Sequence, residues 1–396
     1  ARQFFSARAV IRLYRPKRKR CCFYRDASIL KPCGSPRPLF NIIGGQIMIT
    51  ANRIFLFLSL NAAALCVSAT NFTVGEITVS RGEQISGFIM VPKGIDKGST
   101  IPVTVAHGVN DGPVLALIAG IHGYEYPPIT ALQAVRAQID PAALSGTIIM
   151  VHIANMPSFL GRTIYYSPVD GKNLNRMYPG DPKGSISQRI AHLLTTEVID
   201  QADYLIDLHG GDGNEALRPY VYMPVTGNPA FDAKIEGLAV AFGLDHIVMD
   251  TAPQHASGPS LFTDQTALER GIPAITTETG QSGSNDPHWV ALAEQGIWNV
   301  LRHLNMIPED EVANAGITWL SDYQLIKSPQ SGIFRAVTKD GYVVTEGAVL
   351  GVLVDFFGNE LTTIRAPFSG VVNYVINTPP VNEGEPVAMI SKIAHR

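Results

Sequence analysis

Cysteine is scarce and confined to one end of the chain. The 396 residues include four, Cys21, Cys22, Cys33 and Cys66, and none beyond. The body after residue 69 therefore has no thiol nucleophile, no disulfide and no cysteine-held metal. Any metal site there must use histidine and carboxylate. Charged residues are also few, at 16%, against 46% hydrophobic. That balance permits a packed core and excludes wholesale disorder. Basic residues are thin in the body. Residues 1–69 hold 12 Lys/Arg and one acid, Asp26, which leaves 19 bases against 33 acids in the remainder. So acidic a body lacks the clustered Lys and Arg that phosphate contacts need, and no nucleic-acid partner is expected. The longest apolar run, Ile54–Val67, is well short of the ~20 residues of a comfortable membrane span.

Residues 1–47 show no sustained periodicity and read as an unstructured upstream extension, with the basic stretch Arg15–Arg20 inside it. Met48 then opens an export-signal pattern. Arg53 supplies a positive n-region, Ile54–Val67 an apolar h-region, and Val67-Ser68-Ala69 a small-residue cleavage site. The expectation is a signal peptide over 48–69 and a periplasmic or secreted protein with no stable membrane anchor, the alternative being a cytoplasmic one.

Beyond that point strand and helix alternate. Phe72–Val79, Ile85–Val91 and Ile101–Ala106 read as short strands of an N-terminal β subdomain, 70–112. Val114–Ala119 is a continuous apolar run, as suits a strand buried on both faces. Pro127-Pro128 opens a helix, and Ser185 with Gln188 forms a capping box before another. The strands Thr147–Ile153, Asp203–Leu208, His246–Met249 and Ile272–Thr277 alternate with helices up to Leu304. The fold class this predicts is α/β, a mixed and mostly parallel sheet with helices on both faces. After about residue 320 the helical period disappears. Gly332–Ile390 is Val- and Gly-rich and turn-punctuated, a small C-terminal all-β barrel-like domain within 321–396.

Chemically capable groups follow four apolar strands directly. His122-Gly123-Tyr124-Glu125 follows the run 114–119, and Arg162 lies in the loop after 147–153. His209 follows 203–208, and Glu278 follows 272–277. In open α/β sheets that edge is where ligands bind. Two His and one Glu make a catalytic zinc set with a position left for water. With no cysteine available, zinc or a similar borderline ion, one per chain, is the natural occupant. Glu278 is placed to move the water's proton, and an Arg near the metal to stabilise an oxyanion. Three other readings are weaker. His255 lies in a rim loop, Arg218 is at the surface, and Tyr220 and Tyr222 share a strand face.

The ordered motifs Gly120–Glu125, Arg162, Asp170–Gly180, Asp207-Leu208-His209 and Glu278-Thr279-Gly280 resemble the succinylglutamate desuccinylase/aspartoacylase family, a branch of the zinc carboxypeptidase fold. The resemblance spans about residues 72–390. It implies that His122, Glu125 and His209 are zinc ligands, that Glu278 is the general base and that Arg162 polarises the scissile carbonyl. It also implies that Asn175 and Arg176 hold a substrate carboxylate, for which an Arg fork is suited. Tyr124, Asn173 and Met177-Tyr178 depart from the family's usual residues.

The function expected is a zinc-dependent deacylase cleaving the amide or ester of a small carboxylate-bearing molecule such as an N-acyl amino acid. The catalytic domain would span 113–320, and the all-β tail would pack over the site. One alternative is a carboxypeptidase acting on peptides, and another is a catalytically silent binding protein of the same fold. Whether the chain forms a homo-oligomer is left open.

Overall fold

The computed structural model describes residues 71–251, 261–312 and 316–395. The upstream extension, the signal-peptide pattern, all four cysteines and His255 lie outside these residues. Among the described residues no helix is long and apolar enough to cross a membrane.

The chain opens with the hairpin β1 (Phe72–Val74) and β2 (Ile77–Val79). The sequence reads as one strand here, but Gly75 takes a φ of +56° and turns the chain back. There follow β3 (Glu83–Val91), β4 (Ser99–His107), β5 (Asn110–Ala119), α1 (Tyr126–Gln138), β6 (Ser145–Val151) and α2 (Met156–Gly161). A 3-10 turn, Leu174–Arg176, precedes α3 (Ile186–Glu197), β7 (Tyr204–His209), β8 (Glu215–Leu217) and β9 (Tyr220–Pro224). Next come α4 (Pro229–Phe242), β10 (His246–Asp250), α5 (Thr263–Leu268), β11 (Ala274–Glu278) and α6 (Pro287–His303). The C-terminal strands are β12 (Thr318–Lys327), β13 (Gly332–Ala336), β14 (Val343–Val344), β15 (Val349–Val354), β16 (Glu360–Arg365), β17 (Gly370–Ile376), β18 (Pro380–Val381) and β19 (Pro386–Ile393).

Local chemistry explains the helix starts. Proline stands in the first turn of α1, α4 and α6, where its missing N–H costs nothing. At α3, Gln188 Oε1 accepts from the Ser185 N–H at 3.1 Å, one half of the capping box. Gly243 ends α4 in the left-handed conformation.

A 13-stranded sheet runs in the order β14-β17-β19-β12-β10-β9-β11-β7-β5-β6-β4-β3, with β8 pairing β17. It is mixed, and the expectation of a mostly parallel sheet holds only locally. The run β6-β5-β7-β11 is parallel, as are β10's pairings with β9 and β12. The other seven pairings are antiparallel. The short connection between β3 and β4, for one, is too short for a parallel crossover.

Strand β5 shows why an unbroken apolar run was required. Its Leu115, Leu117 and Ala119 pack on the face covered by α1, α4 and α6. Ala116 and Ile118 pack on the opposite face, with Ile186, Ile190 and Leu194 of α3 and Ala267 of α5. The sheet therefore has helices on both faces, with alternate residues feeding two cores.

The C-terminal strands do not close into one ring. β12, β17 and β19 extend the main sheet from β10, while β16-β15-β13-β18 form a separate four-stranded sheet. The two layers share a core with Leu217, Tyr220 and Val248 of the α/β part. An exposed β10 edge would leave backbone groups unpaired, and pairing with β12 removes it.

Candidate metal centre and its cavity

Register alone assembles much of the site. His209 at the end of β7 is level with Glu278 on β11, and Glu278 is level with Tyr220 on β9. One strand further, Ala119 of β5 pairs with Leu208, so the loop that follows β5 emerges beside His209. Gly120 turns that loop with a φ of +71°. Asn155, capping α2, ties it down: its Nδ2 donates to Ile121 O at 3.2 Å and its N–H to Gly120 O at 2.9 Å. Glu125 is the N-cap of α1 but makes no capping hydrogen bond. Its carboxylate is turned inward instead.

There it meets both histidines. His122 Nδ1 is 2.7 Å from Glu125 Oε1, and His209 Nδ1 is 2.9 Å from Glu125 Oε2. All three side chains are buried, and one ligand atom from each falls within 4.8 Å of the others. The outer ring nitrogens are also engaged. His209 Nε2 lies 3.0 Å from the Asp207 carboxylate, and His122 Nε2 lies 3.1 Å from Asn173 Oδ1. With Nε2 of each ring turned outward, Nδ1 is the atom of each that faces the Glu125 carboxylate. Three acceptors facing one another in a buried space need a cation between them, so the residues fit a divalent metal.

In the metal-free protein protons take that place. Burial would lower the His209 pKa, yet Asp207 and Glu125 override it and hold the imidazole well above its ordinary value. Burial would raise Glu125, but the charges on His209 and His122 hold it at about 2. Glu278 goes the other way. Burial pushes its carboxyl well up, and Glu125, Glu215 and Asp207 add to the shift against the opposing pull of His209. A carboxyl whose charged form is disfavoured in this way is suited to carrying a proton.

The triad and Glu278 line a cavity of about 1130 Å³. Arg176 also lines it, with its guanidinium 4.4 Å over the Phe262 ring and its Nη1 donating to Asn175 O at 2.7 Å. Asn175 is placed differently from a simple substrate ligand. Its Oδ1 accepts from Thr263 N–H and Oγ1, at 3.0 and 3.1 Å, and its Nδ2 lies 3.4 Å from His209 Nε2. Only the amide nitrogen faces inward. Arg162 is not brought into the lining. It is exposed and ends α2 with a φ of +50°.

Tyr220 and Tyr222 prove to be both a strand face and cavity wall, their hydroxyls 3.1 Å apart. Arg218 pairs with Asp245 outside the cavity. The C-terminal strands and turns contribute Asp322, Tyr323, Gln324, Leu325, Tyr374 and Asn382–Pro386 to the wall.

Sequence reasoning placed Asp207 in a motif but gave it no role, although the signal was present: residues i and i+2 of a strand share a face. It missed Glu215, a half-buried carboxylate whose Oε1 accepts from Tyr165 Oη at 2.7 Å. Nothing local marks Glu215. The charge of the cavity was missed as well. Among the described residues, eight in the lining are carboxylates, against Arg176 and two histidines.

The family model for the succinylglutamate desuccinylase/aspartoacylase catalytic domain matches residues 111–304. N-alpha-acetyl-L-2,4-diaminobutyric acid deacetylase from Halomonas elongata is 30% identical over 321 residues, 78% of this chain and 91% of that protein. The chain belongs to the succinylglutamate desuccinylase/aspartoacylase family. Among solved structures, a succinylglutamate desuccinylase/aspartoacylase from Rhodobacter sphaeroides superposes with a TM-score of 0.70 at 26% identity, over 78% of this chain and 96% of its own. The product-bound ectoine utilization protein EutE (DoeB) from Ruegeria pomeroyi shares the fold, with a TM-score of 0.72 at 24% identity over 82% and 98%.

Proposed function

We propose that this chain is a metal-dependent deacylase that hydrolyses the amide of a small N-acyl amino acid. The observation that carries the reading is the buried His122/Glu125/His209 group in a cavity that Glu278 and Arg176 also line. His122, Glu125 and His209 would hold a zinc ion, which would supply Lewis-acid polarisation of a carbonyl and acidify a water. The chain's own groups do the rest. Glu278 takes the water's proton and returns it to the leaving nitrogen. Arg176 pairs with the substrate carboxylate, with the Asn175 amide nitrogen beside it. Arg162, outside the wall, serves the oxyanion only if its loop moves inward on binding.

The excess of carboxylates favours a substrate that also carries a cation. An N-acyl diamino acid meets both demands, and the Halomonas relative is named for one. The wall built from Tyr323, Tyr374 and Asn382–Pro386 limits the length of chain that fits, which disfavours the carboxypeptidase alternative. The intact ligands and Glu278 speak against a silent binding protein.

The test is a hydrolysis screen on the zinc-loaded chain. N-acetyl-diaminobutyrate should be cleaved faster than N-acetyl-aspartate, and both faster than peptides longer than a few residues. His209→Ala should lose the metal and the activity together. Efficient trimming of long peptides with no cleavage of N-acyl amino acids would overturn the reading.

A further inference from the structure

The two imidazoles of the metal centre are backed by different chemistry. Behind His209 stands a carboxylate, Asp207, fully buried and 3.0 Å from Nε2. Behind His122 stands an amide, Asn173, at 3.1 Å from Nε2. The orientation of that amide is settled by a second contact. Asn173 Oδ1 also accepts from the backbone N–H of Asn175 at 2.9 Å, and a backbone N–H only donates. The atom facing His122 is therefore the oxygen. His122 must donate to it through Nε2, and its Nδ1 is left bare toward Glu125.

The same oxygen caps the 3-10 turn that carries Asn175 and Arg176. One acceptor thus joins a metal ligand to the segment proposed to hold the substrate carboxylate. A carboxylate behind a metal-bound imidazole raises its basicity, and an amide orients it with much less of that effect. We propose that Asn173 is a positioning residue that fixes His122 as a neutral Nδ1 ligand while leaving the His122 side of the metal site the weaker of the two. The neutral amide also spares a cavity already crowded with carboxylates one further buried charge.

The inference rests on the metal reading of the triad, and the test separates the two. Zinc affinity is measured on the full chain at pH 8 by chelator competition, with the melting temperature of the metal-free protein recorded alongside. Asn173→Asp keeps an acceptor for both partners and adds the charge. It should bind zinc more tightly than the parent, by roughly tenfold or more. Asn173→Ser keeps a good cap for the Asn175 N–H but is too short to reach His122. It should melt like the parent and bind zinc some ~10–100-fold more weakly, the usual cost of losing such a partner. A residue that merely capped the turn would give a serine variant with normal zinc affinity. That result, or an aspartate variant that binds no more tightly than the parent, overturns the inference. A parent chain that binds no zinc overturns the metal reading and this inference together.

Discussion

Gly123 lies between two of the proposed ligands, and the structure leaves no room for a side chain there. A Cβ at this position would stand 2.4 Å from Ser158 O and 2.5 Å from Thr163 O, both backbone atoms. Real Cβ contacts do not fall below 3.0 Å, so Gly123→Ala must open the gap by about 0.6 Å. The oxygens belong to α2 and to the loop just after it, and α2 is anchored to the ligand loop through Asn155. The displacement must therefore be shared between that segment and the loop carrying His122 and Glu125. Metal geometry tolerates only about ±0.2 Å in ligand distances. The perturbation exceeds that severalfold at the site. For the fold as a whole it is an ordinary overpacking cost of ~1–3 kcal/mol. The variant should accordingly fold, melt a few degrees lower, and fail to hold zinc. Metal analysis after gel filtration, with a thermal melt of the metal-free protein, reads both effects. A Gly123→Ala chain with parental zinc content and turnover would show that the close approach of these loops does not set the ligand geometry.

Glu278→Gln keeps shape and removes the proton carrier; kcat should fall by ~10²–10⁴ with zinc content unchanged, and near-parental turnover ends the assignment. Arg176→Ala should act mainly on KM, because it removes the one Arg or Lys among the described lining residues. A rise of at least about thirtyfold corresponds to ~2 kcal/mol, the low end for an orphaned charge pair and appropriate to a guanidinium open to the cavity. A pure kcat effect would place the carboxylate elsewhere. His152 gives a pH prediction away from the site. It is buried, it bonds Thr104 Oγ1 at 2.8 Å, and burial, aided by Arg136, holds its pKa at about 4. The unfolded chain protonates this imidazole near 6.5 and the folded one near 4, so stability falls as pH drops through that window and levels off below it. Two and a half units correspond to about 3 kcal/mol. Urea denaturation at pH 7.5 and 4 should show His152→Gln losing about that much less than the parent, and an equal loss in both would refute the assignment.

Much of the protein was legible without coordinates, because its cues are local. The double-sided burial of β5 is written as an unbroken apolar run, and α1, α4 and α6 announce themselves by proline in the first turn. His122, Glu125, His209 and Glu278 stand at strand ends, and the parallel run β6-β5-β7-β11 aligns those ends by its own geometry. What the tertiary structure decided has no local imprint. Asn173 reaches His122 across 51 residues of sequence. The eight carboxylates of the cavity come from segments between Glu125 and Glu385. Arg162 lies in the connection after β6, but α2 intervenes, and the residue stands exposed at that helix's left-handed end, outside the wall. The C-terminal strands look like a unit by composition, but β12 completes the edge of β10 and β17 takes up β8. Periodicity reports which face of an element is buried. It does not report which distant element buries it, and the charge, reach and hydrogen-bond partners of a site depend on that second fact.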